Sequence, residues 1–272
     1  LATLCGMSAL FSALFGTPLT ATIFALEVIS VGVVYYSGLV PCLTAALAAF
    51  GVTQLFDIAP TRFTVEAPAL SADMLWRVAV LGIACAAMSI VFCETMHKGE
   101  RLISRAVRNP YLRAAAGGLV IIALTYLCGT TDYNGAGTAV ISRAVTAGEA
   151  EPLAFALKLL FTAVTLGCGF RGGEVVPTFF IGATLGCVLG PLLGIPAGFA
   201  AAVGLVALFC GAVNCPVASV ILAVELFGSG GIVYSAVACA IAYMLSGYTG
   251  LYSSQKIMYS KLRAEFIDIH AK

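Results

Sequence analysis

The sequence predicts an all-α polytopic membrane protein with an inverted-repeat architecture and broken, tilted helices. Three observations carry this. The 272 residues are 61% hydrophobic and only 10% charged, with a mean hydropathy of +1.03, far from the composition of an ordinary soluble domain. Uncharged runs cover 1–26, 28–56, 78–93, 114–131, 175–224 and 226–255, and about 20 apolar residues suffice to cross a hydrocarbon core of ~30 Å. Finally, a stretch near the start of the chain recurs near its end.

That repeat aligns Leu10–Val28 with Leu208–Leu226 without gaps, at an offset of 198 residues, with six of nineteen positions identical. The identities include Pro18 with Pro216 and Glu27 with Glu225, each Pro nine residues ahead of its Glu. Chance similarity between apolar segments is the alternative, and the paired Pro and Glu argue against it. Transporters are often built from such repeats, with the site where the halves meet.

The elements follow in order. Helices are expected over 1–15 and 18–36, split at Gly16-Thr17-Pro18, and over 39–56. Residues 1–56 thus form the last helices of a first repeat. Residues 57–72, with Asp57, Pro60, Arg62, Glu66 and Pro68, read as a polar linker. A second repeat spans 73–250, opening with a long helix over 73–106. Lys98, Arg101, Arg105, Arg108 and Arg113 crowd around its end, which places that connection in the cytoplasm by the positive-inside rule. Helices are expected near 111–128, 138–148, 152–166, 176–190, 197–212, 216–228 and 232–248. A C-terminal, cytoplasm-facing amphipathic helix is expected over 251–272. Several of these helices are too short to span alone, and broken helices at membrane depth survive only where protein or a cavity surrounds them.

Composition excludes several classes. A net charge of +1 and the lack of a basic tract give no nucleic-acid footprint. The ten cysteines lie mostly in apolar segments without a CxxC pair, so neither a disulfide framework nor a zinc site is expected. No cofactor or enzyme motif appears: His97 and His270 sit in charged segments, outside any HExxH pattern. A membrane enzyme would need convergent His, Asp or Glu in a cleft, which sets it behind a transport reading. The chain starts at Leu1 within an apolar stretch, so its natural N-terminus is expected elsewhere.

The segment richest in chemistry is Gly167-Cys-Gly-Phe-Arg-Gly-Gly-Glu-Val-Val-Pro177. Its glycines loosen the backbone, and Pro177 suits the first turn of a new helix. A helix start inside a membrane aims unpaired N–H groups at whatever lies before it, as an anion site requires.

Gly172-Gly-Glu-Val-Val-Pro177 and the following Phe179-Phe-Ile-Gly-Ala-Thr-Leu-Gly186 resemble the third signature of the CLC chloride channel and transporter family. There a Gly-x-Phe-x-Pro loop opens a helix pointing at the central anion. Gly16–Glu27 resembles that family's two helices after its gating-glutamate helix. Gly250-Leu-Tyr-Ser253 resembles the start of its last helix, whose tyrosine reaches the anion. The motifs are moderately specific, and their order covers essentially the whole chain. The family's Gly-Ser-Gly-x-Pro and Gly-Lys/Arg-x-Gly-Pro motifs, with the anion-binding serine and the gating glutamate, are absent. They are expected ahead of Leu1.

The resemblance implies transmembrane chloride or other halide transport, by a channel or by an anion/proton antiporter in a multi-pass membrane, such as a bacterial inner membrane. It implies Gly173, Glu174, Val175, Val176 and Tyr252 as the anion-site residues. Val175 replaces the family's phenylalanine, a position that acts through its backbone N–H. Glu174 stands where an apolar residue is usual. It is either a proton carrier, as the Gly-Gly-Glu loop of the fluoride-exporting branch suggests, or a first-turn carboxylate paired with Arg171. Glu27 and Glu225 match mostly structural glutamates, and Val28 falls where proton-coupled chloride exchangers carry an internal glutamate. Tyr252 is either an anion donor or a member of an aromatic belt with Tyr243, Tyr248 and Tyr259. The implied partners are a halide, protons, the bilayer and a second copy of the chain. The apolar faces of 18–36, 39–56, 197–212 and 216–248 include that family's dimer-forming helices. Gly182, Gly186, Gly190, Gly194 and Gly198 are expected to serve helix packing. A fluoride/proton antiporter of the same family and an inverted-repeat transporter of an organic solute are the alternatives.

Overall fold

The computed structural model describes residues 1–263 and 265–271. Among them, eleven α-helices run in the order α1 (Ala2–Phe15), α2 (Pro18–Glu27), α3 (Leu39–Leu55), α4 (Ala72–Ala106), α5 (Pro110–Cys128), α6 (Thr138–Thr146), α7 (Ala154–Gly167), α8 (Val175–Leu192), α9 (Ala197–Val213), α10 (Pro216–Phe227) and α11 (Ile232–Leu245). A small sheet joins β1 (Ser30–Val31), β2 (Lys256–Tyr259) and β3 (Phe266–His270), with β1 parallel and β3 antiparallel to β2.

Four helical stretches are long and apolar enough to cross a membrane: Tyr36–Leu55, Ala72–Ala106, Pro110–Cys128 and Val175–Leu192. At 1.5 Å per residue, α4 is about 50 Å long. Its start is capped by the Ser71 hydroxyl, which accepts from the Met74 N–H at 3.2 Å. The other helices fall short of a full span and pack against one another. Only Gly117 of α5 is buried, while Leu119, Tyr126 and Leu127 stand exposed, the apolar surface a bilayer covers.

The core is the α8–α9 pair. Every residue from Phe199 to Val213 is buried, so α9 is enclosed on all sides by α8, α4, α11, α10 and α6. It presents no face to a second copy of the chain, which removes 197–212 from the expected dimer-forming faces. The glycine ridge explains how α8 and α9 approach. A Cβ on Gly182 would strike the backbone of Gly204 and Leu205, and one on Gly186 the backbone of Ala200. Further along the ridge, Gly190 meets Ala200, Gly194 turns the chain at φ +69°, and Gly198 sits under the Val145 carbonyl in α6. The ridge therefore serves two helices and the turn between them.

The repeat is visible in the backbone itself. Gly16 ends α1 in the left-handed region at φ 70°, ψ 29°, and Asn214, 198 residues on, ends α9 at φ 60°, ψ 36°. The next residues, Thr17 and Cys215, adopt φ −122°, ψ 76° and φ −119°, ψ 75°. Each precedes a proline, which pushes it out of the helical region, and each proline opens a helix at its first position. Segment 57–72 is pinned to α1 and α10: the Thr61 N–H donates to the Phe15 carbonyl at 3.1 Å and the Phe63 N–H to the Leu226 carbonyl at 2.8 Å.

Two expected helices differ. The helix expected over 18–36 ends at Glu27, because the run Val28, Ile29, Val31, Val33 and Val34 is β-branched and Gly32 turns at φ +89°. The C-terminal helix expected over 251–272 is instead the β2–β3 pair. Phe266-Ile-Asp-Ile-His270 alternates in exposure with period two, the pattern of a strand. The edge at Ile29–Val31 supplies backbone partners, beginning with Lys256 N–H to the Ile29 carbonyl at 3.1 Å. Lys256 also pairs with Asp268 at 3.5 Å. Ala264 and Lys272, within the expected helix, lie outside the described residues.

Candidate anion site

The segment 168–177 breaks the chain between α7 and α8. Gly169 adopts φ +94°, a conformation costly to any other residue. Gly172 and Gly173 are exposed, and nothing lies within 4 Å of a Cβ built on Gly173. Glu174 is the N-cap of α8, at φ −100°, ψ −18°, and Val175 is its first residue. Pro177 has no N–H to lose, and the first helical bond runs from Thr178 N–H to the Glu174 carbonyl at 3.3 Å. The Val175 and Val176 N–H groups have no acceptor among the described residues. They are the orphan donors of a helix start, reinforced by the positive end of the helix dipole.

Tyr252 approaches the same region from the C-terminal arm. Val175, Val176 and Tyr252 are half-buried against one core, and Glu174 lies near enough to both Tyr252 and Cys93 to couple with them. The Tyr252 hydroxyl has no hydrogen-bond partner among the described residues. The other tyrosines of the expected belt have their own partners. Tyr243 lies under the Lys261 ammonium, 4.6 Å from the ring centroid. Tyr248 shares a 3.0 Å hydrogen bond with Ser260, and Tyr259 packs on Phe266.

Glu174 forms no ion pair among the described residues, with Arg171 or any other cation. His97 and Glu100 of α4 lie close enough to it to couple electrostatically. His97 is not the surface residue its charged neighbours suggest: it is half-buried, and its Nε2 lies 3.1 Å from the Leu251 carbonyl, next to Tyr252. Arg171 instead lines a cavity of about 590 Å³ together with Lys158, Gly172, Gly173, Val176 and Pro177.

Lys158 was not evident from the sequence. It is 2% exposed in α7. Its ammonium donates to the Tyr133 and Gly135 carbonyls at 3.0 and 2.6 Å and lies 5.0 Å from the Phe180 ring centroid. A lone lysine within the otherwise uncharged run 152–170 was the available signal. The cation gathers the loop between α5 and α6 beside the first turn of α8.

The two remaining carboxylates have helix amides as partners. Glu27 accepts from Val217 and Ala218 N–H at 3.2 and 2.9 Å, and Glu225 accepts from Leu19 and Thr20 N–H at 3.0 and 2.8 Å.

The family model described as "Voltage gated chloride channel" matches residues 1–247. The chain belongs to the voltage-gated chloride channel family. A relative from Pseudomonas syringae pv. tomato, named "Chloride/fluoride channel protein", is 38% identical over 263 residues, covering 94% of this chain and 58% of its own length. The Escherichia coli "Voltage-gated ClC-type chloride channel ClcB" is 25% identical, covering 89% of this chain and 60% of its own. Among solved structures, a "CLC-type fluoride/proton antiporter" superposes with a TM-score of 0.88 at 32% identity, over 92% of this chain and 64% of the other. A "slow cyanobacterial Cl-/H+ antiporter" superposes with a TM-score of 0.73 at 20% identity, over 89% and 60% of the two chains, a likeness of fold. The chain thus spans about three fifths of the length of these relatives. Within the family, it is an all-α membrane protein whose relatives are named channels and antiporters.

Proposed function

We propose that this chain is the part of a halide transporter that supplies the Val175–Val176 amides and the Tyr252 hydroxyl to a dehydrated anion. The observation that carries the reading is the start of α8: two N–H groups without acceptors among the described residues, behind the open Gly173 and the exposed Gly172. Neutral donors bind an anion without a full counter-charge, so it can leave again. Gly173 gives access, Val175 and Val176 act through their backbones, and Glu174 stands at the mouth. Residues 1–56 end the first repeat, 57–72 link, 73–250 form the second, and the 251–272 arm faces the cytoplasm. No enzymatic step belongs to this reading.

Fluoride/proton antiport is the second reading. It is favoured by Glu174, a half-buried carboxylate with no ion pair among the described residues, and by the 32% identical antiporter. The bacterial relatives support a bacterial inner membrane. An apolar groove lined by Leu19, Ile23, Leu43, Val220, Ile221 and Val224 supports a homodimer through α2, α3 and α10.

The test is flux from liposomes holding the full-length protein, with fluoride, chloride and an organic anion in competition. Halide efflux that Glu174→Gln uncouples from proton movement supports the antiporter. Halide efflux with no proton movement supports the channel. Transport of the organic anion alone contradicts both.

A further inference from the structure

We infer that Asn214, Gln255 and Lys261 form a buried polar hub that positions Tyr252. The inference rests on the reading that Tyr252 meets the anion and adds what holds it there.

Gln255 is 2% exposed and closes the turn that carries Tyr252, its N–H donating to the Tyr252 carbonyl at 2.9 Å. Its side-chain amide donates to the Val28 and Val213 carbonyls at 2.7 and 2.8 Å, the orphan ends of α2 and α9. Its oxygen accepts from the Asn214 amide at 2.9 Å. Asn214, fully buried, sends its second N–H to the Thr249 carbonyl at 3.1 Å, three residues before Tyr252. The Asn214 oxygen accepts from Lys261, which also donates to the Ser246 hydroxyl at 2.9 Å. Both amides therefore use both donors and the oxygen. A fully satisfied buried network of this kind fixes one geometry, and a partly satisfied one is costly.

The repeat shows what is special about this hub. Asn214 occupies the position of Gly16 in the first unit, with nearly the same backbone. Gly16 has no side chain and faces Pro60 of the linker. The symmetry is broken at the residue that reaches the C-terminal arm. The arm is also tied immediately before Tyr252: Leu251 N–H donates to the Ala212 carbonyl at 2.8 Å and His97 meets the Leu251 carbonyl. Among the described residues the hydroxyl has no partner.

Asn214→Gly keeps a residue suited to the left-handed backbone and deletes the hub. In the full-length protein, amide exchange over 249–257 should then rise by at least about tenfold while 10–28 is unchanged. Fluoride and chloride affinity, read by calorimetry, should fall by about tenfold, as for Tyr252→Phe, and the double variant should bind no worse than Tyr252→Phe. Unchanged exchange, or losses that multiply in the double variant, overturns the positioning role. Faster exchange with Tyr252→Phe binding normally supports the hub and sinks the Tyr252 anion reading instead. If Asn214→Gly does not fold, Lys261→Met removes one arm of the hub without touching the backbone, and the same outcomes apply.

Discussion

Glu27 and Glu225 hold each other's helices. Each lies at the C-terminal end of its own helix, α2 or α10, and accepts two N–H bonds from the first turn of the other. The partners are related by the repeat offset: Leu19 with Val217, and Thr20 with Ala218. A carboxylate at a helix start satisfies orphan donors and complements the dipole, and here two such caps lock α2 and α10 together.

Replacing Glu27 with Ala should therefore destabilise the fold. Two charge-assisted bonds are lost at a residue 7% exposed, for about 3 kcal/mol. Glu225→Ala, at a more exposed site, should cost about half as much. Thermal melting in detergent checks both, and halide affinity of the surviving Glu225→Ala protein should be unchanged.

Gly186→Leu should prevent folding. A side chain there meets the Ala200 backbone, which cannot rotate away as a side chain would. Overpacking a tight core typically costs about 1–3 kcal/mol, and backbone contact puts this site at or above the upper end. Gly6, where nothing lies within 4 Å of an added Cβ, is the control: Gly6→Ala should leave the elution profile and melting point unchanged.

Lys158→Met should loosen the loop between α5 and α6. It strands the Tyr133 and Gly135 carbonyls, for about 2 kcal/mol. The check is a lower melting temperature with faster amide exchange over 130–137.

Lys261 gives a pH signature. Burial pushes its ammonium down to about 8, against about 10.4 for a free lysine. Between these values the unfolded chain binds more protons than the folded one, so stability rises with pH across that window. The contribution is fully present above about 10.4 and is lost as pH falls through 8. The melting temperature of the parent minus that of Lys261→Met should climb from pH 8 to 10, and a flat or falling difference contradicts it.

Much of this was legible in the sequence. Pro18 and Pro216 fix helix starts through their own rings, and the Glu27/Glu225 spacing marked the repeat whose reciprocal caps the structure displays. Glu174-Val175-Val176-Pro177 announced a helix start in an apolar setting. What was hidden depends on distant partners. Lys158 looks like any helical lysine until the Tyr133 and Gly135 carbonyls close over it. His97 looks exposed until Leu251 folds back onto α4. Residues 256–270 carry enough charge to suggest an amphipathic helix, and only the edge at Ser30–Val31 makes Lys256–Tyr259 and Phe266–His270 strands of a sheet.

The central claim is that neutral donors at the start of α8 and on Tyr252 bind the anion. The most direct test is halide binding by calorimetry to the full-length protein and its Tyr252→Phe variant. Removing one O–H donor to an anion should weaken binding about tenfold, roughly 1.4 kcal/mol, with the melting temperature unchanged. Equal affinity in the two proteins would contradict it.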